Sequence, residues 1–397
     1  MSGRGKALAA NLALAALSLA ACGAALEVAA RAVVHRWRSQ PGAIRDPILR
    51  YHPTLGWDKP PGAQGWIRRP EYNVHLAINS HGLRGPDRGY EKPPGVRRTL
   101  LLGDSFTEGY TVAEDETVRA RLEALLGAAG CGRHEVLNGG TAAYSTDQEY
   151  LFFLEEGARY APDVVVVLFF YNDLAGDTPG GLDKPRFEVE DDRLVLRNSP
   201  VPAPAAPRRE ARAFVLKPWR GSVALRLLSD RTSGANPRLH RFLARLGLVE
   251  PEPDEAMPEE LWPFGPGHKQ EVALMWRRTR AVLAALKEAA GSRGARLAVF
   301  YVPARFEVDD RAWELTRERY GMGRRWWRRE RVFEDLREAC GALDLPLVDP
   351  RAEMRAAEAA GNATYFVRDG HWTTEGHAVA ARAIAAALQK DGLACPR

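Results

Sequence analysis

The stretch Arg97-Arg98-Thr99-Leu100-Leu101-Leu102-Gly103-Asp104-Ser105 decides the fold. Its continuously apolar end reads as a short buried strand, the kind used in parallel sheets covered on both faces. Gly103 lets the backbone turn closely, so Ser105 arrives at the carboxyl end of that strand. Open α/β sheets place their ligands there. Ser105 with Glu108 also matches a helix capping box, and on its own the motif reads as a helix start.

Two later segments repeat the pattern. Glu135-Val136-Leu137-Asn138-Gly139-Gly140 is a second strand ending in small residues, followed by Thr141-Ala142-Ala143-Tyr144. Asp163-Val164-Val165-Val166-Val167-Leu168-Phe169-Phe170-Tyr171-Asn172-Asp173 is a third, strongly apolar strand that ends in an amide. Three strands thus bring a hydroxyl, a backbone turn and an amide to one rim. An oxyanion needs converging N–H donors. The Ser105 N–H, a turn N–H near Ala143 and the Asn172 side chain are the candidates, with an Asx turn or helix cap as the plain alternative for Asn172. Far downstream, Asp369-Gly370-His371 stands just before the last helix. A serine, a base and an orienting carboxylate are what attack on an ester carbonyl needs. The plain alternative for His371 is a polar residue at a helix start, a description that suits nearby His377.

On these motifs the chain resembles the SGNH/GDSL hydrolase family. Gly103-Asp104-Ser105 is similar to its first block, Asn138 to Ala143 to its second, Tyr171-Asn172-Asp173 to its third, and Asp369-Gly370-His371-Trp372 to its last. The resemblance covers roughly Thr99 to Leu388. It implies a flavodoxin-like three-layer α/β/α sandwich on a parallel five-stranded sheet, with Ser105, His371 and Asp369 as catalytic residues. The run Ile78-Asn79-Ser80-His81-Gly82-Leu83-Arg84-Gly85 resembles bacterial members that carry one N-terminal membrane anchor. Two positions depart from the family pattern. Its second block usually has glycine where Ala143 stands, and a positive φ there costs alanine roughly 1 kcal/mol. Either Ala143 takes an ordinary conformation or the oxyanion hole is altered. Its last block usually spaces Asp and His three apart, whereas Asp369 and His371 are two apart; in an extended segment such residues point to one side, so the pair can face one site without a direct hydrogen bond being assured. The Asp-x-His-Trp form also resembles the motif of related bacterial polysaccharide O-acetyltransferases.

The rest of the chain fits such an enzyme. At 397 residues, with 45% hydrophobic and 27% charged, it is long enough for one large or two modest domains. A net charge of +5, carried mostly by Arg, is too mild to indicate nucleic-acid binding. No P-loop, Gly-x-Gly-x-x-Gly, His-Glu-x-x-His, Cys-x-x-Cys or Gly-x-Ser-x-Gly pattern occurs, and no metal or organic cofactor is implied. Ala7 to Leu26 is an uncharged apolar run long enough to cross a bilayer as a helix of about 30 Å. A signal anchor with the enzyme outside the cytoplasm is the favoured reading. A cleaved signal peptide, or lipidation at Leu19-Ala20-Ala21-Cys22, is the alternative.

The expected organisation is therefore 1–37 membrane anchor, 38–98 stalk and small β-extension, and 99–397 hydrolase domain with an insertion at about 174–294. The insertion holds a hairpin from Phe187 to Leu196, a Pro/Ala linker from Pro200 to Pro207, and helices over Val223–Leu228 and Pro237–Leu246. It would lie above the catalytic rim as a lid, a substrate wall or a solvated decoration. Arg324-Arg325-Trp326-Trp327-Arg328-Arg329 suits a membrane interface or an anionic glycan, but the helical pattern of Val332, Phe333, Leu336 and Ala339 favours an amphipathic helix burying the Trp pair. In the flavodoxin-like strand order, Cys131 and Cys395 fall at one edge and are candidates for a disulfide. The resulting expectation is an esterase acting on short-chain or O-acetyl esters, with an acetylated glycan as one substrate class. The alternatives are an O-acyltransferase that passes the acyl group to a polysaccharide, and a glycan-binding protein on a decayed hydrolase scaffold.

Overall fold

Leu100 and Leu102 belong to one apolar cluster and Leu101 to another, on the opposite face of their strand. Side chains alternate across a strand, so a strand apolar on both sides needs cover on both. A computed structural model describes residues 3–38, 43–44, 48–130, 132–175, 183–204, 222–249 and 257–394 of the chain. It shows that cover. Five strands, Val96–Gly103 (β1), Arg133–Asn138 (β2), Val164–Phe169 (β3), Arg296–Tyr301 (β4) and Leu347–Val348 (β5), form one sheet in the order β2-β1-β3-β4-β5. All four pairings are parallel. This is the flavodoxin-like order, and every residue of the central strand β3 is buried.

One face of the sheet carries Val165, Val167, Phe169 and Tyr301 against helices Thr146–Glu155, Lys269–Gly291 and Arg331–Ala342. The other carries Val164, Val166, Leu168 and Phe300 against helices Val118–Ala128 and Thr374–Lys390. The Phe187–Leu196 hairpin forms as Arg186–Glu190 paired with Arg193–Arg197, turning through Asp191 and Asp192 at positive φ. In the segment before β1, strands Gln64–Arg68 and Asn73–Ala77 pair antiparallel, and Trp57 is fully buried.

The chain falls into two compact units, Ile44–Arg208 with Met257–Arg397, and Met1–Ala43 with Arg209–Ala256. The second holds helix Gly3–Arg38 and the helix pair Val223–Ala235 and Pro237–Arg245. Within the long helix, Ala13–His35 is long and apolar enough to cross a membrane by length and composition, and only 6% of it is buried.

One expectation changes. Arg324 to Arg329 is not helical, because the preceding helix Asp310–Tyr320 stops at Gly321 in the left-handed region and the next begins only at Arg331. Trp326 is left 58% exposed, while the Trp327 ring packs on Gly265. Cys131 and Cys395 lie outside the described residues, as do Ala205 to Pro207 and Pro251 to Ala256. Cys340 is buried, which pushes its thiol up to about 12.

His377 stands in the first turn of the last helix, Thr374–Lys390, as read, and it is buried there. It is 1% exposed, and its Nδ1 accepts the Val118 N–H at 3.2 Å. Burial, reinforced by the charges of Arg84 and His371, lowers its pKa from 6.5 to about 3. The folded state thus holds His377 neutral while the unfolded chain takes up a proton below 6.5, so this stability is present above that pH and is lost as pH falls toward 3. Between neutrality and about pH 5 the loss is on the order of 2 kcal/mol. Urea unfolding at the two pH values should show this loss in the natural protein and a smaller one in His377→Gln. Equal pH sensitivity of the two would remove His377 as its source.

Candidate active site

The helix that presents Ser105 is one turn long, Ser105–Glu108, and it is Asp104 that caps it. Asp104 Oδ1 accepts the Phe106 N–H at 2.9 Å. The capping box expected of Ser105 and Glu108 does not form, because Glu108 reaches across to accept the Ala142 N–H at 2.8 Å. Ser105 is therefore the first helical residue, and its Oγ lies 2.7 Å from His371 Nε2. Gly103 before it has φ 154°, and a Cβ there would stand 2.1 Å from Thr107 Oγ1. At the far end, buried Arg84 donates to the carbonyls of Glu108, Gly109 and Val112. A turn too short to be stable alone is thus held at both ends.

The second-block loop packs directly on this turn. A Cβ at Gly140 would lie 2.6 Å from the Glu108 nitrogen. Asn138 Nδ2 donates to the Thr107 carbonyl at 2.9 Å, and its Oδ1 accepts the Gly140 N–H at 3.0 Å. Ala143 has φ 62°, the left-handed region, so the backbone takes the conformation that glycine would favour there. The peptide before it is fixed from both sides, since Ala142 donates to Glu108 and its carbonyl accepts Trp57 Nε1 at 2.9 Å. Neither the Ser105 nor the Ala143 N–H is taken up by a described hydrogen bond. Asn172 begins no Asx turn. Its Nδ2 donates to Asp104 Oδ2 at 3.2 Å, which ties the third block to the first and leaves one amide hydrogen over.

Asp369 and His371 meet through a turn and not an extended segment. The Phe366 N–H bonds the His371 carbonyl at 2.9 Å, the Gly370 N–H bonds the Phe366 carbonyl at 3.0 Å, and Gly370 has φ 83°. Asp369 Oδ1 then lies 2.6 Å from His371 Nδ1. The spacing of two, read as a departure, costs no contact. Phe106 and Tyr110 flank the imidazole with ring centroids 4.7 and 5.1 Å away.

Two partners of this turn escaped the sequence reading. The Glu71 carboxylate accepts the N–H groups of Arg368 and Asp369 at 3.0 Å each, and the Tyr72 hydroxyl donates to Asp369 Oδ2 at 2.8 Å. Both sit in the turn between strands Gln64–Arg68 and Asn73–Ala77. Alternation over Asn73 to Ala77 marks a strand, but it says nothing about where the turn before it lands.

Electrostatics separate the carboxyls by environment. Burial alone would raise Asp369, but the hydrogen bond and charge of His371 and the Tyr72 hydroxyl outweigh it, and the group sits below its ordinary value. Burial pushes Asp104 up to about 6, against the Phe106 N–H, His371 and Asn172, which favour its charge. Deeper still, burial and the neighbouring carboxylates hold Glu149 and Asp173 well above the usual carboxylate range. Among the described residues no cluster of three or more His, Cys, Asp or Glu is placed to hold a metal. A cavity of about 1060 Å³ lined by Lys184, Arg186, Glu188, Met275, Arg277 and Arg278 includes none of the serine, histidine or aspartate above.

A family model described as the GDSL-like Lipase/Acylhydrolase family matches residues 101–379. No curated protein matches the chain. Among solved structures, a lipase/acylhydrolase from Enterococcus faecalis is 14% identical, over 74% of this chain and 96% of its own, at a TM-score of 0.38. An acetyl xylan esterase is 11% identical, over 73% and 99%, also at 0.38. A catalytic mutant of an acetylxylan esterase from Geobacillus stearothermophilus is 12% identical, over 76% and 97%, at 0.36.

The Tyr72–Asp369 contact and the left-handed Ala143 each generate a test. Losing a hydrogen bond to a charged group costs about 1.5 kcal/mol, so Tyr72→Phe should lower kcat on an aryl ester about tenfold. KM should hold, and Tm should fall by no more than a few degrees. A change in Tm with unchanged kcat would make Tyr72 a packing residue only. Ala143→Gly relieves a left-handed alanine and should leave the fold as stable or more stable by about 1 kcal/mol, read by thermal unfolding. A clear loss of stability would contradict the strained conformation.

Proposed function

The chain belongs to the GDSL-like lipase/acylhydrolase family, a family of ester hydrolases, and on that premise we propose that it is a serine esterase working through Ser105, His371 and Asp369. The observation that carries the proposal is the unbroken run of short contacts, 2.7 Å from Ser105 Oγ to His371 Nε2 and 2.6 Å from His371 Nδ1 to Asp369. His371 takes the Ser105 proton as the oxygen attacks the acyl carbon, and returns it to the leaving alcohol. Asp369, kept ionised, holds the imidazole so that Nε2 faces the serine and stabilises the imidazolium. The N–H groups of Ser105 and Ala143 and the amide of Asn172 receive the oxyanion. Water then attacks the acyl-serine with the same base.

The proposed substrates are short-chain or O-acetyl esters, an acetylated glycan among them. The proposed division places the hydrolase domain at 99–397, with 174–294 as its insertion. The apolar helix near the N-terminus supports an anchor that leaves the enzyme outside the cytoplasm. Transfer of the acyl group to a glycan hydroxyl uses the same residues, and only the acceptor differs. The left-handed Ala143 and the close Asp369–His371 contact count against a decayed, purely glycan-binding site.

Ser105→Ala and His371→Ala should each remove essentially all turnover of a short-chain aryl ester in folded protein, since an unactivated hydroxyl is a poor nucleophile. Near-natural turnover in either variant sinks the triad. Asp369→Asn should cost less, and Asn172→Ala should lower kcat by about 10²–10³ if its amide serves the transition state. A change in KM alone would move Asn172 to substrate binding. Product analysis with an acetylated glycan, with and without an acceptor glycan, separates hydrolysis from transfer.

A further inference from the structure

The second compact unit holds a surface that the esterase reading does not use. In helix Pro237–Arg245 and the residue after it, Leu239, Phe242 and Leu246 recur at the spacing of one helix face and are 43%, 56% and 57% exposed. Leu227 and Leu228 of helix Val223–Ala235 add 45% and 38% exposure. A second stripe at the same spacing is basic, with Arg238, Arg241 and Arg245 in sequence. From 223 to 249 the chain has five arginines and one aspartate. The two helices are tied together, since Thr232 Oγ1 lies 2.9 Å from His240 Nδ1 in a buried contact. Apolar residues are therefore held outward by a fixed pair and not left by fraying.

The place where this pair begins says what covers it. Glu27 is the first charged residue after Lys6, at the end of the apolar run. Its carboxylate accepts the Ser222 hydroxyl at 2.7 Å and the N–H groups of Val223 and Ala224 at 2.9 and 3.0 Å. The start of the helix pair is thereby fastened to the long helix at the point where its uncharged run stops. With the uncharged run Ala7 to Leu26 as the crossing stretch, the bilayer boundary falls at this point. An amphipathic helix with aliphatic and aromatic residues on one face and arginines on another suits the headgroup layer.

We propose that the helix pair 223–246 lies in the interface of an anionic bilayer, with Leu239, Phe242 and Leu246 among the acyl chains and exposed arginines such as Arg226, Arg231 and Arg245 at the lipid phosphates. The proposal rests on the reading of the N-terminal helix as a membrane anchor. The test uses the full chain in liposomes of phosphatidylcholine and phosphatidylglycerol, with a benzophenone amino acid placed at Phe242, at Arg245 or, inside the span, at Leu17. Irradiation followed by mass spectrometry should give lipid adducts at Leu17 and at Phe242, the latter several-fold above Arg245. The yield at Phe242 should fall several-fold in pure phosphatidylcholine. Adducts at Leu17 without adducts at Phe242 overturn the proposal and leave the anchor standing, whereas adducts at Phe242 alone overturn the anchor and, with it, the placement of the helix pair beside a span. Adducts at neither overturn both. Protein–protein adducts at Phe242 overturn the proposal in favour of a second copy of the chain, and an unchanged yield in phosphatidylcholine overturns the anionic preference.

Discussion

A serine hydroxyl and an imidazole 266 residues apart have to stand within hydrogen-bond reach, and the order of the parallel sheet is what allows it. The strand before Ser105 sits between the strands that end at Asn138 and Phe169. All three run the same way, so the loops that leave them share one rim. The last helix packs in the same apolar cluster as the helix after Ser105, which brings the start of that last helix, and His371 before it, over the same rim. No residue of the site has to travel; each is where the strand or helix beside it begins or stops.

Fine placement then depends on groups that hold the loops against one another. Asp104 is shared between the Phe106 N–H and Asn172, Glu108 between the helix turn and Ala142, and Arg84 closes the turn from the other end. Because these contacts are buried, each broken one would leave an unpaired polar group away from water. Asp369 is treated differently. It is partly exposed, and its charge is kept by His371 and by Tyr72 from a neighbouring hairpin.

The strands and the three small-residue motifs were legible because strand burial and close backbone turns leave marks on the sequence, as in Leu100–Gly103 and Asn138–Gly140. Asp369 and His371 were legible as residues but not as a geometry, since the turn that joins them depends on Gly370 taking a positive φ. The capping reading of Ser105 and Glu108 failed because two residues in a row, Asp104 and Ser105, are both good caps, and only the pull of His371 and of Ala142 decides between them. Arg324 to Arg329 misled for a similar reason. A helical pattern downstream was extended backward past Gly321 and Gly323. Long-range pairings such as Glu71 with Arg368 leave no local mark at all. Nor does the grouping of the N-terminal helix with residues 209–256.

The family model begins at Leu101, yet the unit that carries the matched residues reaches back to Ile44. Trp57, Lys59 and Arg84 lie buried before the first strand, and Tyr144 and Gln148 spend their polar atoms on the Trp57 and Leu55 carbonyls. The portable part of this molecule is accordingly not the stretch that family likeness outlines. A chimera joined at residue 99 would carry Ser105 and His371 into a new host without the hairpin turn that fixes Asp369 beside them, whereas a junction upstream of Arg50 would carry that turn as well.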